Sequence, residues 1–247
     1  MTSAATGFYA PARDKLHRRL GRHDSGQLED IVTTFRQLML AASETTSAAM
    51  GAIVNALARH PRIMERIKAE VRSVSSSTDG LSLAALGQLP YLNAVIKERL
   101  RLYHPTPPAV TRVTPPEGKT IAGVFVPENT HVGICHYAAY TTEANFPSAT
   151  SFLPERWLVK AEEKSPSLHE NDSNIKTTSI SVFEPFAVGG HSCIGQNLTW
   201  VEMRLVLAHL VHGFDIEAVD PFRWDEQESY FFWKRRAFMV RLTPVGG

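Results

Sequence analysis

Only two of the 247 residues are cysteine, Cys135 and Cys193. That is too few for a disulfide framework and is in keeping with a reducing compartment. No apolar run reaches the roughly 18 residues that a membrane-spanning helix needs. Residues 1–10 lack the charged start and apolar centre of a secretory leader, so the expectation is a chain with no membrane anchor of its own. Neither sign of charge dominates. The 26 Lys and Arg meet 25 Asp and Glu, which leaves no footprint for nucleic acid or for a strongly acidic partner. No Cys–His cluster has zinc-finger spacing. What is present is 43% hydrophobic residues, enough for a core, at a length that holds one large domain or two small ones.

Periodicity and punctuation supply the elements. Ile31, Phe35, Leu38, Ala42, Ala49, Ile53 and Leu57 recur at close to helical spacing and predict one long helix over 27–59, roughly 50 Å from end to end. Its middle, residues 38–50, is apolar on nearly every side and is expected to be buried. His60-Pro61 ends that helix and starts another, reaching about residue 72, because a residue before Pro avoids the α region while Pro suits a first helical turn. Further helices are expected over 81–86, 89–103 and 197–212, with a basic, helical stretch at 9–22. Strands are expected over 109–113, 120–126 and 130–136, the last two joined by a Pro-Glu-Asn turn, and over 214–217 and 230–242. Residues 140–184 read as mostly irregular, with a polar surface excursion at 162–178. The fold class is mainly α with small β-sheets, an α+β arrangement.

The most specific stretch is Phe186-Ala187-Val188-Gly189-Gly190-His191-Ser192-Cys193-Ile194-Gly195. Its glycines let the backbone turn sharply and approach a flat ligand. The helix over 197–212 follows, so Cys193 lies just ahead of a helix N-terminus, where the dipole and unpaired N–H groups favour an anionic sulfur. A thiolate in such a loop is a ligand or a nucleophile. The loop resembles the haem-binding loop of the cytochromes P-450, the family in which a Cys thiolate holds haem and favours O–O cleavage. That resemblance implies haem b (iron protoporphyrin IX) with Cys193 as the iron ligand and Phe186, Gly189, His191 and Gly195 around it. His191 stands where the family most often has an Arg beside a propionate, and its charge at neutral pH is conditional.

Three further motifs follow the family's order. Ser43-Glu44-Thr45-Thr46-Ser47 puts a polar block inside the long helix, with Ala41, Ala42, Ala48 and Ala49 leaving a shallow bay beside Thr45. It resembles the family's small-Gly-x-acid-Thr motif, which implies that Glu44 and Thr45 relay protons during O–O cleavage. Ala42 replaces the usual Gly, and its methyl narrows the oxygen groove. Glu98 and Arg101 share one helical face at i, i+3, on a helix whose buried side is Leu92, Val95, Ile96 and Leu100. They resemble the family's Glu-x-x-Arg pair, whose structural network Arg156 of the Pro-Glu-Arg-aromatic segment would complete. By the same resemblance Arg112 contacts a haem propionate, and Leu40, Ala41, Ala109, Val110 and Phe231 face substrate.

The resemblance covers nearly the whole chain, residues 1–247, as the C-terminal half of the cytochrome P-450 fold, with the N-terminal half absent. It implies a fungal, microsomal-type monooxygenase of secondary metabolism. Such an enzyme takes electrons from an NADPH-cytochrome reductase and inserts one atom of dioxygen into an apolar small molecule. The family's place is the cytosolic face of the endoplasmic reticulum membrane, with membrane association only through the missing half. Two other readings stay open: a truncated, non-catalytic remnant, and a haem-thiolate isomerase or dehydratase. Without its other half the chain is expected to be poorly soluble or to bind haem loosely.

Overall fold

Prolines set the helix boundaries. The computed structural model describes residues 25–75, 80–108, 110–158, 180–219, 224–234 and 236–245. Within them α1 (Ser25–Arg59) stops two residues short of Pro61, and α2 (Pro61–Val74) starts on it. After the short α3 (Leu83–Gly87), α4 (Pro90–Leu102) again starts on a proline. A first-turn position has no intrahelical partner for its N–H, so proline loses nothing there and its φ is already helical.

Two compact units divide the chain, Met1–Glu44 and Thr45–Gly247. The described part of the first is the leading stretch of α1, where Ile31, Phe35, Leu38, Met39 and Leu40 are all exposed. The expected burial of residues 38–50 therefore holds only for its later part. Leu38 and Ala42 are open to solvent, whereas Thr46, Ala48, Ala49, Ala52 and Ile53 are buried. An apolar stripe marks the face that can be covered and does not itself supply the cover.

In the second unit the core forms where α2, α4 and α6 (Gln196–Gly213) pack on one another, with α3 against α6. Met64, Ile67 and Val71 of α2 are buried, as are Met203, Leu207, Ala208 and Val211 of α6, each set at three- and four-residue spacing. Lys68 lies on the same buried side of α2 and bridges outward to Asp215, at the start of β5 (Phe214–Ala218). That ammonium holds the exposed Asp215 carboxyl below the usual carboxylate range.

The strands form three small antiparallel pairs and correct the sequence reading in three places. Residues 120–126 are not one strand but a hairpin of β2 (Lys119–Ile121) and β3 (Val124–Val126). Its two turn residues, Ala122 and Gly123, have φ of 48° and 82°, the double positive φ that matches the twist of a tight hairpin. In place of a strand over 130–136 there is β4 (His131–Val132), paired with β1 (Arg112–Val113), and then α5 (His136–Tyr140). The closing strand is β6 (Val240–Pro244), in register with β5 from Phe214↔Pro244 to Ala218↔Val240. Around residue 230 only an isolated Ser229↔Trp233 bridge occurs. The stretches 9–22 and 162–178 lie outside the described residues, as does Ala109.

Leu89, the N-cap of α4, offers no capping side chain. Glu70 of α2 supplies one from across the core: its two carboxylate oxygens accept the amide N–H of Tyr91 at 2.8 Å and of Leu92 at 2.7 Å. A negative charge at a helix N-terminus also complements the dipole. Replacing Glu70 by Ala removes both acceptors and should cost about 1–2 kcal/mol, measured as a lower urea midpoint at unchanged m-value. Glu70→Gln, which keeps one acceptor oxygen, should fall between Ala and the native chain.

Candidate functional site

Behind the cysteine-bearing loop lies a buried charge network centred on one carboxylate. Glu98 and Arg101 are both fully buried on α4, and Arg156 on the Pro154–Trp157 turn is nearly so. Glu98 Oε1 accepts from Arg101 Nη2 at 2.8 Å, Arg156 Nε at 3.1 Å and the Leu153 amide at 3.0 Å. Its Oε2 accepts from Arg101 Nε at 3.0 Å and from Trp157 Nε1 at 2.8 Å. The remaining Arg101 donors go to the carbonyls of Tyr140, Ala149 and Ser151. All five guanidinium N–H groups are thereby used. Arg156 completes its set on the carbonyls of Pro147 and Ser148. Burial lowers the Arg156 guanidinium from its ordinary value, the Glu98 carboxylate opposing that and Arg101 adding to it.

These bonds give the irregular stretch after α5 its shape. Backbone carbonyls with no strand or helix partner need donors when buried, and here arginines provide them. Glu143 does the complementary work, accepting the amides of Ser148 at 2.9 Å and Ala149 at 2.8 Å. On another side of α4, Arg99 Nε donates to the Ala52 carbonyl of α1 at 3.0 Å.

The loop itself is closed at its base by the Cys193 amide, which donates to the Phe186 carbonyl at 2.8 Å. Inside this closure the chain makes tight turns, Ala187 N–H to Glu184 O and Ser192 N–H to Gly189 O, each 3.1 Å. Gly189 has φ of 77°, a conformation that costs glycine nothing and other residues strain. Ala187 adopts φ of 57°, strain that the surrounding hydrogen bonds offset. Phe186 packs against the core, its ring 6.0 Å from that of Trp200 on α6. Beyond it Val188, Gly189, Gly190, His191, Ser192 and Cys193 are exposed, and Ile194 is 94% exposed. The root is rigid and the tip presents a free thiol.

This arrangement fits the haem that the resemblance implies. An added Cβ at Gly189 or Gly190 would meet nothing within 4 Å, so that side of the loop is open, whereas one at Gly195 would stand 3.8 Å from Cys193 Sγ. A soft thiol donor set among exposed apolar groups suits a flat iron macrocycle. No group of three or more His, Cys, Asp or Glu able to hold a metal ion occurs among the described residues.

The remaining candidates are dispersed. Arg112 is exposed on β1, opposite Val132, and donates to its neighbour's Thr111 carbonyl at 3.1 Å. Val110 and Phe231 are exposed, the latter edge-on to Phe232 at 4.9 Å. Leu40 and Ala41 are exposed and Glu44 half-buried in the first unit, and Thr45 is half-buried at the start of the second. Sequence reasoning missed the indole of Trp157 as a donor to Glu98. It also missed Tyr140, whose hydroxyl accepts the Glu184 amide at 3.0 Å just before the loop. The first had a signal in its place beside Arg156; the second, 44 residues from its partner, had none.

Known proteins are similar to this chain in sequence and in fold. The family model for cytochrome P450 matches residues 13–240. The chain is 37% identical over 211 residues to the cytochrome P450 monooxygenase astA of Talaromyces wortmannii, covering 85% of this chain and 40% of that protein. It is 36% identical over 221 residues to the cytochrome P450 monooxygenase sthF of Phaeosphaeria nodorum, covering 89% and 42%. A crystal structure of a cytochrome P450 superposes with a TM-score of 0.70 at 26% identity, over 88% of this chain and 46% of the other. The chain thus spans less than half the length of each.

Removing the Glu98 carboxylate while leaving two guanidinium groups in place strands buried positive charge. Glu98→Ala should cost about 3–5 kcal/mol and Glu98→Gln somewhat less. Tryptophan fluorescence, to which Trp157 is one of four contributors, should report the loss as a lowered denaturant midpoint.

Proposed function

Because the chain belongs to the cytochrome P450 family, we propose that residues 1–247 form the haem-ligating, long-helix part of a haem-thiolate monooxygenase. It inserts one oxygen atom of dioxygen into an apolar small molecule of the secondary-metabolite type, with electrons from an NADPH-dependent reductase. Haem b, when bound, supplies the dioxygen activation and the oxidising power. The single observation that carries this reading is the free, exposed thiol of Cys193 on a loop whose base is hydrogen-bonded shut and anchored by Phe186.

The chain's own residues then divide the work. Cys193 Sγ would hold the haem iron, and Gly189 and Gly190 keep side chains off the open side of the loop. Arg112 and His191 would donate hydrogen bonds to the haem propionates, the planar guanidinium suiting a carboxylate. Glu44 and Thr45 of α1 are the acid and the alcohol that would relay protons, general-acid work in the family's motif. Leu40, Ala41, Ala109, Val110 and Phe231 are the residues to which the family resemblance assigns substrate contact. The Glu98–Arg101–Arg156 network takes no part in the chemistry and fixes the segment behind the loop. No described helix is long and apolar enough to cross a membrane. The family resemblance implies the cytosolic face of the endoplasmic reticulum membrane.

The reading is tested by a carbon monoxide difference spectrum of the reduced, haem-loaded chain. A long-wavelength Soret band, lost in Cys193→Ser, is the expected result, and its absence would leave a non-catalytic remnant. With reductase added, Thr45→Ala should divert electrons into hydrogen peroxide and lower productive turnover by about 100-fold. Turnover with no demand for NADPH would point to isomerase chemistry.

A further inference from the structure

Two histidines outside the cysteine loop lie face to face. His104, in the turn after α4, and His136, the first residue of α5, have ring centroids 4.3 Å apart and planes tilted by 28°. His104 is only 6% exposed, and both of its ring nitrogens are engaged. Nε2 lies 2.8 Å from the Pro185 carbonyl oxygen. Nδ1 faces three atoms of Thr106: the carbonyl at 2.9 Å, the amide nitrogen at 3.2 Å and the hydroxyl at 3.1 Å. A carbonyl can only accept, so the contact with Pro185 takes a proton on Nε2; Thr106 offers Nδ1 its carbonyl as an acceptor and its amide and hydroxyl as donors, so the geometry accommodates the neutral Nε2–H tautomer.

The Pro185 carbonyl is one residue from the base of the cysteine loop. Phe186, next in the chain, offers the carbonyl that takes the Cys193 amide at 2.8 Å. Glu184, on the other side of Pro185, donates its amide to the Tyr140 hydroxyl at 3.0 Å. Tyr140 belongs to the same cluster, with ring centroids 5.5 Å from His136 and 6.1 Å from His104. The His104 carbonyl in turn accepts from Trp233 Nε1 at 2.7 Å. One residue thereby joins the end of α4, the root of the cysteine loop through its ring and the segment around residue 233 through its carbonyl.

We propose that His104 is a positioning residue for Cys193, gripping the Pro185 carbonyl at the root of the loop through Nε2–H, with His136 stacked behind it. The proposal rests on the reading of Cys193 as a ligand, but the grip belongs to the chain and can be measured without haem.

The titratable rings beside His104 are His136 and Tyr140 of α5, and Arg101 and Glu184 reach the same cluster through Tyr140. Burial pushes His104 below its ordinary value. Burial, and then repulsion from His104, bring His136 down to about 4. Tyr140 is pushed up to about 12, chiefly by burial, and stays protonated. A depressed folded-state value means that the unfolded chain takes up protons first. The stabilisation from this pair is therefore complete above about pH 6.5 and is lost as pH falls toward the lowered values, where two stacked cations would repel.

The test uses the full chain carrying Cys135→Ala, so that Cys193 is the single thiol. Amide hydrogen exchange is followed in the peptide 184–196 and in α2 as a reference, together with the rate of Cys193 alkylation by iodoacetamide. His104→Phe, which fills the ring site without a donor, should raise exchange in 184–196 by about tenfold, the loss of one hydrogen bond, and speed alkylation, with α2 unchanged. His104→Gln, which keeps a side-chain N–H of similar reach, should return both to within about threefold of the native chain. Native protection in the Phe variant, or a folded Gln variant that fails to restore it, overturns the proposal. Should His104→Phe lose protection in α2 as well, acidification of the His104 chain from about pH 7.5 to about 5.5 decides. Opening of 184–196 ahead of α2 supports the grip, and simultaneous opening overturns it. A chain that takes up no haem while passing these tests sinks the haem-thiolate reading alone.

Discussion

One carboxylate, Glu98, holds two guanidinium groups in a place with no water to help it. Its two oxygens receive five N–H donors, from Arg101, Arg156, Leu153 and Trp157. Isolated ion pairs of this kind contribute little or even cost stability, because desolvation offsets attraction. Here every remaining guanidinium proton of Arg101 is directed at a backbone carbonyl between Tyr140 and Ser151. The network therefore substitutes for secondary structure, closing the hydrogen-bond account of a stretch that has neither helix nor sheet to do so. The cysteine loop is then supported from this scaffold through Tyr140, which meets Arg101 with its carbonyl and Glu184 with its hydroxyl.

Helices and their limits were legible because their signals are local. Pro61 and Pro90 announce first turns, and the three- and four-residue spacing of Met64, Ile67 and Val71 marks the face that is buried. The hairpin over 119–126 was hidden because its turn is Ala122-Gly123. An alanine at positive φ gives no warning, and the flanking β-branched and aromatic residues run through it as if through one strand. The segment around residue 230 misled in the other direction: aromatic residues suited to a strand pack instead as a ring cluster, with Trp233 stacked on Tyr103 at 4.4 Å. The exposed leading stretch of α1 shows that an amphipathic pattern records a capacity for burial and not its fulfilment.

Of the candidate site, the cysteine loop was readable as a contiguous string whose glycines and following helix are near in sequence. The side chains that support it were not. His104 reaches across 81 residues to Pro185, and Tyr140 across 44 to Glu184. Neither has a neighbour in the chain that hints at its partner. A histidine read as a packing or surface residue has, in the folded chain, a specific acceptor at the loop root. Positions that reach the loop through a second residue are the ones a linear pattern leaves blank.

The spacing of the Arg101 contacts also sets an order in time. Its guanidinium meets Glu98 three residues away, but its carbonyl partners lie 39, 48 and 50 residues downstream. At the roughly 5–20 residues per second of synthesis, α4 leaves the ribosome about 3–10 s before the last of them. During that interval Arg101 has Glu98 as its partner and water for its other donors. The core that α4 shares with α6 closes later still, because α6 begins only at Gln196.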